Sequence, residues 1–270
     1  MKILLNNDDL NEALYDVSSL GFVPTMGVLH KGHISLIKKS LKECKKTIVS
    51  IFINPTQFNK KNDFINYPRN SKKDLSILKK LKINFVYIPK VKDVYNFKRK
   101  SSIKLDKKDK ILCAKYRKGH FEGVLDVMER LTKLIRPKKI YMGEKDFQQL
   151  YLVKRYIQKR FNTKIISCET IRNSNKLAFS SRNVLLSKRQ INLAEKITNE
   201  IYVLKKKLSK SKDINKTISQ KRKELMSSFN VKFDYLELRN LLNFKSSNKV
   251  QNSKLFFAYY INKVRLVDNF

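Results

Sequence analysis

Glycine, proline, tryptophan and cysteine are all scarce in this chain, and each scarcity closes off a class of protein. Six glycines and five prolines among 270 residues are too few for a collagen-like or low-complexity chain. The three cysteines, Cys44, Cys113 and Cys168, are widely spaced and form no C-x-x-C. They fit free thiols in a reducing compartment better than a disulfide frame or a zinc site. No run of about 18 apolar residues occurs, so no transmembrane helix is expected. The opening MKILLNNDDL has one lysine and then turns acidic, unlike a secretory signal or an Arg-rich transit peptide. A cytoplasmic location is the expectation.

Acidic residues are the other shortage. Sixty Lys+Arg stand against 23 Asp+Glu, a formal net charge of +37. Such a balance is common in proteins that bind nucleic acid or anionic membranes. Here Lys, Asn, Ile, Phe and Tyr abound while Gly, Pro and Trp are rare, the trend that AT-rich codons produce. The basic surface is therefore read as compositional drift, with no specific nucleic-acid partner and no membrane. Drift turns the scarce residues that are present into markers. All glycines (21, 27, 32, 119, 123 and 143) lie in the first 143 residues, and His30, His33 and His120 each sit within three residues of one. Glycine supplies left-handed backbone or close approach, and histidine supplies donors near neutral pH.

The chain is 41% hydrophobic, ordinary for a globular protein, and long enough for one large domain or two modest ones. Residues 20–25 read as a buried strand and 34–43 as an amphipathic helix. The β-branched run 47–53 reads as a strand buried on both faces. A helix at 71–81 and a strand at 84–89 follow, then helix 122–135, strand 140–143, helix 146–159 and strand 164–169. Strands alternating with helices predict an α/β, Rossmann-like doubly wound domain with a mainly parallel sheet, at about residues 1–171. The tract 98–110 reads as a basic loop with a short strand. Beyond residue 187, two Lys-rich helices (188–208 and 213–228) precede three strands, FDYLELR, LFFAYYI and VRLVD. They predict a smaller C-terminal α+β domain at 172–270.

The chemistry-bearing block is Pro24-Thr25-Met26-Gly27-Val28-Leu29-His30-Lys31-Gly32-His33. It follows a strand and opens a helix, where free backbone N–H groups and the positive helix end suit a phosphate. His30 and His33, three apart, project from one side of the first turn and could stabilise charge developing on phosphate. Neither G-x-x-x-x-G-K-[ST] nor G-x-G-x-x-G is present, which counts against P-loop and dinucleotide readings.

H-x-G-H in this setting resembles the signature of the nucleotidyltransferase superfamily. The longer P-T-M-G-x-L-H-x-G-H resembles the pantothenate synthetases. Other blocks follow that family's order: Asn54-Pro55-Thr56-Gln57-Phe58, Tyr67-Pro68-Arg69, Arg117-Lys118-Gly119-His120-Phe121-Glu122-Gly123-Val124, Gly143-Glu144-Lys145-Asp146, Gln148-Gln149-Leu150, Ser180-Ser181-Arg182-Asn183 and a terminal VRLVDN. The resemblance implies ATP-dependent condensation of pantoate with β-alanine through pantoyl adenylate, with release of AMP and pyrophosphate.

It also implies the site. Met26, Gly27, Val28, Leu29, His30, Lys31, Gly32 and His33 would hold ATP, as would Gly143, Glu144, Lys145 and Asp146. Ile171 and Phe179, Ser180, Ser181 and Arg182, in a lid-like second domain, would close on the nucleotide. His33, His30, Lys145 and Arg182 are the expected catalytic groups. Gln57 and Gln149 would grip pantoate, with Asn54 and Arg117 nearby; Asn54 can instead be a strand-end cap, and Gln148 reads as a plain helix residue. Mg²⁺ would accompany ATP, since magnesium typically binds through substrate phosphates. Its protein ligands stay unassigned, Asp74 being the carboxylate considered. A homodimer is implied by the family alone. Two departures stand out: Lys118 replaces the usual Pro, and Asn175-Lys176 replaces Asp-Gly, which would place a lysine in left-handed backbone. The rivals are an RNA-directed nucleotidyltransferase-fold protein and a paralogue without turnover. The small C-terminal part speaks against the first; intact Gln57, Gln149 and Lys145 speak against the second.

Overall fold

In the computed structural model, which describes residues 1–59, 61–95 and 102–270, the apolar runs pair into one all-parallel sheet. Its strands are β1 (Lys2–Leu4), β2 (Leu20–Thr25), β3 (Lys46–Ile51), β4 (Phe85–Tyr87), β5 (Lys139–Gly143) and β6 (Lys164–Cys168). Their spatial order is β1-β4-β3-β2-β5-β6. From β2 the chain winds outward through β3 and β4, then returns to the other side of β2 for β5 and β6. The order reverses between β2 and β5, where α/β sheets open a crevice beyond the carboxyl ends of their strands. That ladder holds only Gly21 to Lys139 and Phe22 to Ile140, so the carboxyl-terminal halves of β2 and β5 are not paired with each other.

Burial explains the strand composition. Five of the six β3 positions are buried, as expected when helices cover both faces of a parallel sheet. Val23, Val49, Val86 and Tyr141 form a core with Ile37 and Leu78 from the covering helices. The helix Lys31–Glu43 starts three residues earlier than its periodicity predicts, because His30 caps it. Strand 84–89 contracts to β4. The edge strand β1 and the helix Asn7–Leu14, which Asn6 caps through Asp9 N–H at 2.9 Å, carry too short a pattern to be read from sequence. In the tract 98–110, residues 98–101 lie outside the described ones. The remainder has no strand, only a 3-10 turn at Lys107–Asp109.

By its internal contacts the chain divides into two units, 1–107 with 117–170, and 108–116 with 171–270. The second unit contains an antiparallel sheet ordered β7 (Lys232–Asn240), β8 (Ser253–Ile261), β9 (Val264–Asn269). The helices Lys188–Lys207 and Ile214–Phe229 bury Ile197, Ile201 and Leu225 with Leu255, Phe257 and Tyr259 of that sheet. Ser187 and Gln190 form a reciprocal capping box at the first helix. All three cysteines are free thiols. Among the described residues no helix is long and apolar enough to cross a membrane.

Candidate active site

The loop after β2 is tightly determined. Thr25 Oγ1 donates to the Ser50 carbonyl at 2.7 Å and accepts from Gly27 N–H at 3.2 Å. Gly27 and Val28 follow with φ +81° and +50°. Asp74, 1% exposed on the helix Ser71–Lys80, accepts from Val28 N–H at 2.8 Å and Leu29 N–H at 2.7 Å. His30 then takes the N-cap position, its Nδ1 accepting from Gly32 N–H at 3.1 Å while its carbonyl accepts from Ile34 N–H. Of the N–H groups expected to be free at the helix mouth, that of Gly32 is taken up by the His30 ring. In the loop before it, those of Gly27, Val28 and Leu29 are bound within the protein, as buried backbone donors generally are.

The histidine rings meet as their spacing predicts, with centroids 4.0 Å apart and planes at 30°. Because His30 Nδ1 accepts a hydrogen bond, the neutral ring carries its proton on Nε2, an assignment made from the bonding pattern. Burial, with the Lys145 charge adding to it and Asp146 opposing it, lowers the His30 pKa to about 4. Burial followed by its neighbours His30 and Lys145 pushes His33 well below its ordinary value. Both rings are neutral at pH 7. Among the described residues the buried Nδ1 of His33 has no hydrogen-bond partner.

Lys145 and Asp146 come from the carboxyl end of β5. Their charged atoms are 3.5 Å apart, with the lysine 19% exposed. Asp146 precedes the helix Phe147–Gln158 but makes no capping bond with its side chain. Glu144 accepts from Ser167 Oγ at 2.6 Å. Gly143 has an ordinary φ of −79°, and among the described residues, its two chain neighbours aside, no atom lies within 4 Å of where a Cβ would stand, so neither strain nor packing demands glycine there.

A second network forms at the end of β3. Asn54 Oδ1 accepts from Tyr95 OH at 2.7 Å and from Thr56 N–H and Oγ1 at 3.3 and 3.0 Å. Its Nδ2 donates to Gln57 Oε1 at 3.1 Å and to the Gly123 carbonyl at 3.2 Å. The buried Asn54 amide thus holds the turn, the capping alternative of the sequence reading. Gln57 Nε2 points at Met26 Sδ, 3.0 Å away. His120 Nδ1 donates to the Gln57 carbonyl at 2.7 Å, and its Nε2 accepts from Arg117 Nη1 at 2.7 Å. Arg117 Nη2 also donates to that carbonyl, at 3.4 Å. The 117–124 block therefore clamps the Thr56–Gln57 backbone. Gln149 is half-buried on the helix Phe147–Gln158 and, among the described residues, its amide has no hydrogen-bond partner; Gln148 is buried.

Ile171, Phe179, Ser180, Ser181 and Arg182 belong to the second unit. Phe179 N–H donates to the Ile171 carbonyl at 3.1 Å, and Arg172 pairs with Ala178, so the segment doubles back on itself. Lys176 sits in that turn with φ +69°, the left-handed lysine anticipated from the Asn-Lys departure. Ser180 Oγ caps Arg182 N–H at 3.3 Å. Sequence reasoning missed Thr25, Tyr95 and the loop contacts of Asp74. Nothing local signals them, since Tyr95 reaches Asn54 across 41 residues and Asp74 reaches Val28 across 46.

The fold and this cluster define an α/β protein whose polar groups gather at the carboxyl ends of parallel strands where the strand order reverses. Residues 2–270 match the Pantoate-beta-alanine ligase family. Pantothenate synthetase of Flavobacterium psychrophilum is 39% identical over 266 residues, 96% of this chain and 94% of its own. That of Campylobacter hominis is 40% identical over 276 residues, 100% and 99% respectively. Among solved structures, pantothenate synthetase of Thermus thermophilus gives a TM-score of 0.93 at 28% identity, covering 100% of this chain and 99% of its own. Pantoate-beta-alanine ligase of Francisella tularensis, complexed with beta-gamma ATP and beta-alanine, gives 0.86 at 36% identity, covering 100% and 97%. The chain belongs to the pantoate–β-alanine ligase family, enzymes that form a carbon–nitrogen bond.

Proposed function

We propose that this protein condenses pantoate with β-alanine, using ATP and passing through pantoyl adenylate. The observation that carries the reading is the neutral His30–His33 pair at the end of β2, electrostatically coupled to Lys145 at the end of β5. A pantoate carboxylate oxygen attacks the α-phosphorus, and pyrophosphate leaves with the electron pair of the broken P–O bond. The β-alanine nitrogen attacks the acyl carbon, AMP leaves, and the nitrogen loses a proton. Neutral imidazole N–H groups donate to developing phosphate charge without adding a cation that would pair with the incoming carboxylate. Lys145 supplies the fixed positive charge. The phosphates of bound ATP would raise both histidine pKa values, because a nearby anion favours the protonated ring.

Gln57 and Gln149 are the proposed pantoate ligands; each amide can both donate and accept toward hydroxyl and carboxylate. Asn54, Arg117 and His120 hold the Gln57 segment. Gly143 leaves room for a ligand to approach the backbone. Mg²⁺ is proposed to arrive on the ATP phosphates and offset their charge. Among the described residues no group of three His, Cys, Asp or Glu could hold an ion, and both Asp74 oxygens already accept backbone N–H groups. Roles for Ile171, Phe179, Ser180, Ser181 and Arg182 toward ATP, and a homodimer, are proposed on the family resemblance alone.

The test is to follow AMP with purified protein. AMP release should require both pantoate and β-alanine, and pantoate alone should support exchange of labelled pyrophosphate into ATP. AMP release indifferent to either substrate overturns the ligase reading. Ligation without exchange removes the adenylate.

A further inference from the structure

We propose that Asp74 is the positioning residue of the Met26–His33 loop, holding a strained turn in place rather than binding a metal. The observation stands independently of the ligase reading; the consequence for activity rests on it. Gly27 and Val28 are consecutive left-handed residues, at φ +81° and +50°. A β-branched side chain rarely adopts that conformation and keeps it only when its surroundings over-determine it. Here the determinant is one buried carboxylate with its two oxygens split between two successive N–H groups, Val28 at 2.8 Å and Leu29 at 2.7 Å. Gly27 leaves space for it, since a Cβ there would stand 3.0 Å from Asp74 Oδ2. The carboxylate is itself fixed, because Asp74 N–H donates to the Asn70 carbonyl at 3.0 Å in a helix that Asn70 caps.

Both ends of the turn bear on the site. Upstream is Met26, whose sulfur meets Gln57 Nε2. Downstream, Leu29 is anchored in the core and leads directly to His30, the helix cap that stacks on His33. A turn released from Asp74 would shift the histidines relative to Lys145. Small displacements of reacting groups are costly in rate.

Asp74→Asn is the informative variant. The amide keeps one acceptor oxygen but turns an N–H₂ toward the second backbone N–H. It is expected to lower kcat by about tenfold or more while also raising KM for ATP. Val28→Gly removes the side-chain penalty of the left-handed turn. In that background the Asp74→Asn change should cost about threefold or less, a coupling that a double-mutant cycle reads directly. Raising Mg²⁺ should restore nothing.

Amide hydrogen exchange without substrates gives an activity-independent readout. In the folded Asp74→Asn variant the Val28 and Leu29 amides should exchange about tenfold faster or more, with β3 amides unchanged. Unchanged exchange at those two amides, equal kinetic losses in both backgrounds, or rescue by Mg²⁺ would each overturn the proposal. Faster exchange in the variant, with a wild-type protein that fails the AMP assay, supports the positioning role and sinks only the ligase reading.

Discussion

The two units of this chain both turn through left-handed non-glycine residues, Val28, Lys82 and Arg136 in the first, but they divide sharply in glycine. The first holds every glycine and every histidine; the second, residues 108–116 and 171–270, has neither. Yet the second unit turns through left-handed residues at Leu112, Lys176, Asn230, Phe244, Asn252 and Asn262. In the first unit, Gly123 lies in a helix, without a positive φ, but a Cβ there would stand 2.3 Å from the Thr56 carbonyl oxygen. In a chain rich in Lys and Asn, left-handed backbone alone does not keep a glycine in place. Space does. A turn can absorb a modest strain energy, whereas a backbone carbonyl at contact distance cannot be moved without moving the segment behind it.

The strongest test of this contrast is at the scarcest residue. His33→Ala should lower kcat by on the order of 10²-fold or more, the scale of losing one preorganised transition-state donor, with a smaller effect on ATP binding. Near-normal turnover in a folded variant would remove His33 from the chemistry.

Next in size is Gly123→Ala. Forcing a methyl against the Thr56 carbonyl should destabilise the protein by roughly 1–3 kcal/mol. It should also raise KM for pantoate more than KM for ATP, because the segment displaced carries Gln57. Unaltered melting and unaltered KM would show that the helix yields instead.

A pH dependence comes third. His30 titrates near 6.5 when unfolded and at about 4 when folded. Between those values the unfolded chain binds a proton that the native chain does not, so stability rises with pH across that window. The contribution is fully present above about pH 6.5 and is lost as pH falls toward 4, reaching at most about 2 kcal/mol at pH 5. Chemical denaturation at pH 7 and pH 5 should therefore show a smaller difference for His30→Asn, which keeps an acceptable helix cap, than for wild type. Equal differences would mean the ring is not titrating from a buried, neutral state.

The smallest effect is expected in the second unit. Lys176→Gly should stabilise the protein by about 1 kcal/mol by removing left-handed strain, read as a raised melting temperature. A loss of stability would show that the Lys176 side chain, whose ammonium lies 5.4 Å from the centroid of the Tyr202 ring, outweighs its backbone cost.

What the sequence by itself determined is what depends on near neighbours. The period of apolar residues marked β2, β3, β5, β6 and the long helices, because burial of a strand face or helix stripe is written at spacings of two to four residues. The H-x-G-H spacing placed two rings on one side of a first turn, and they stack there. Short elements such as β1 and the helix Asn7–Leu14 escaped, having too few residues to show a period. The strand order was decided only in three dimensions. Nothing local says that β5 returns to the far side of β2, yet that return brings the Lys145 charge to bear on the histidines, where it adds to burial in keeping both rings neutral. The same holds for Asp74 at Val28, Tyr95 at Asn54 and His120 at Gln57. Each is a hydrogen bond between segments dozens of residues apart, and its strength depends on distance and direction in the folded chain rather than on spacing along it.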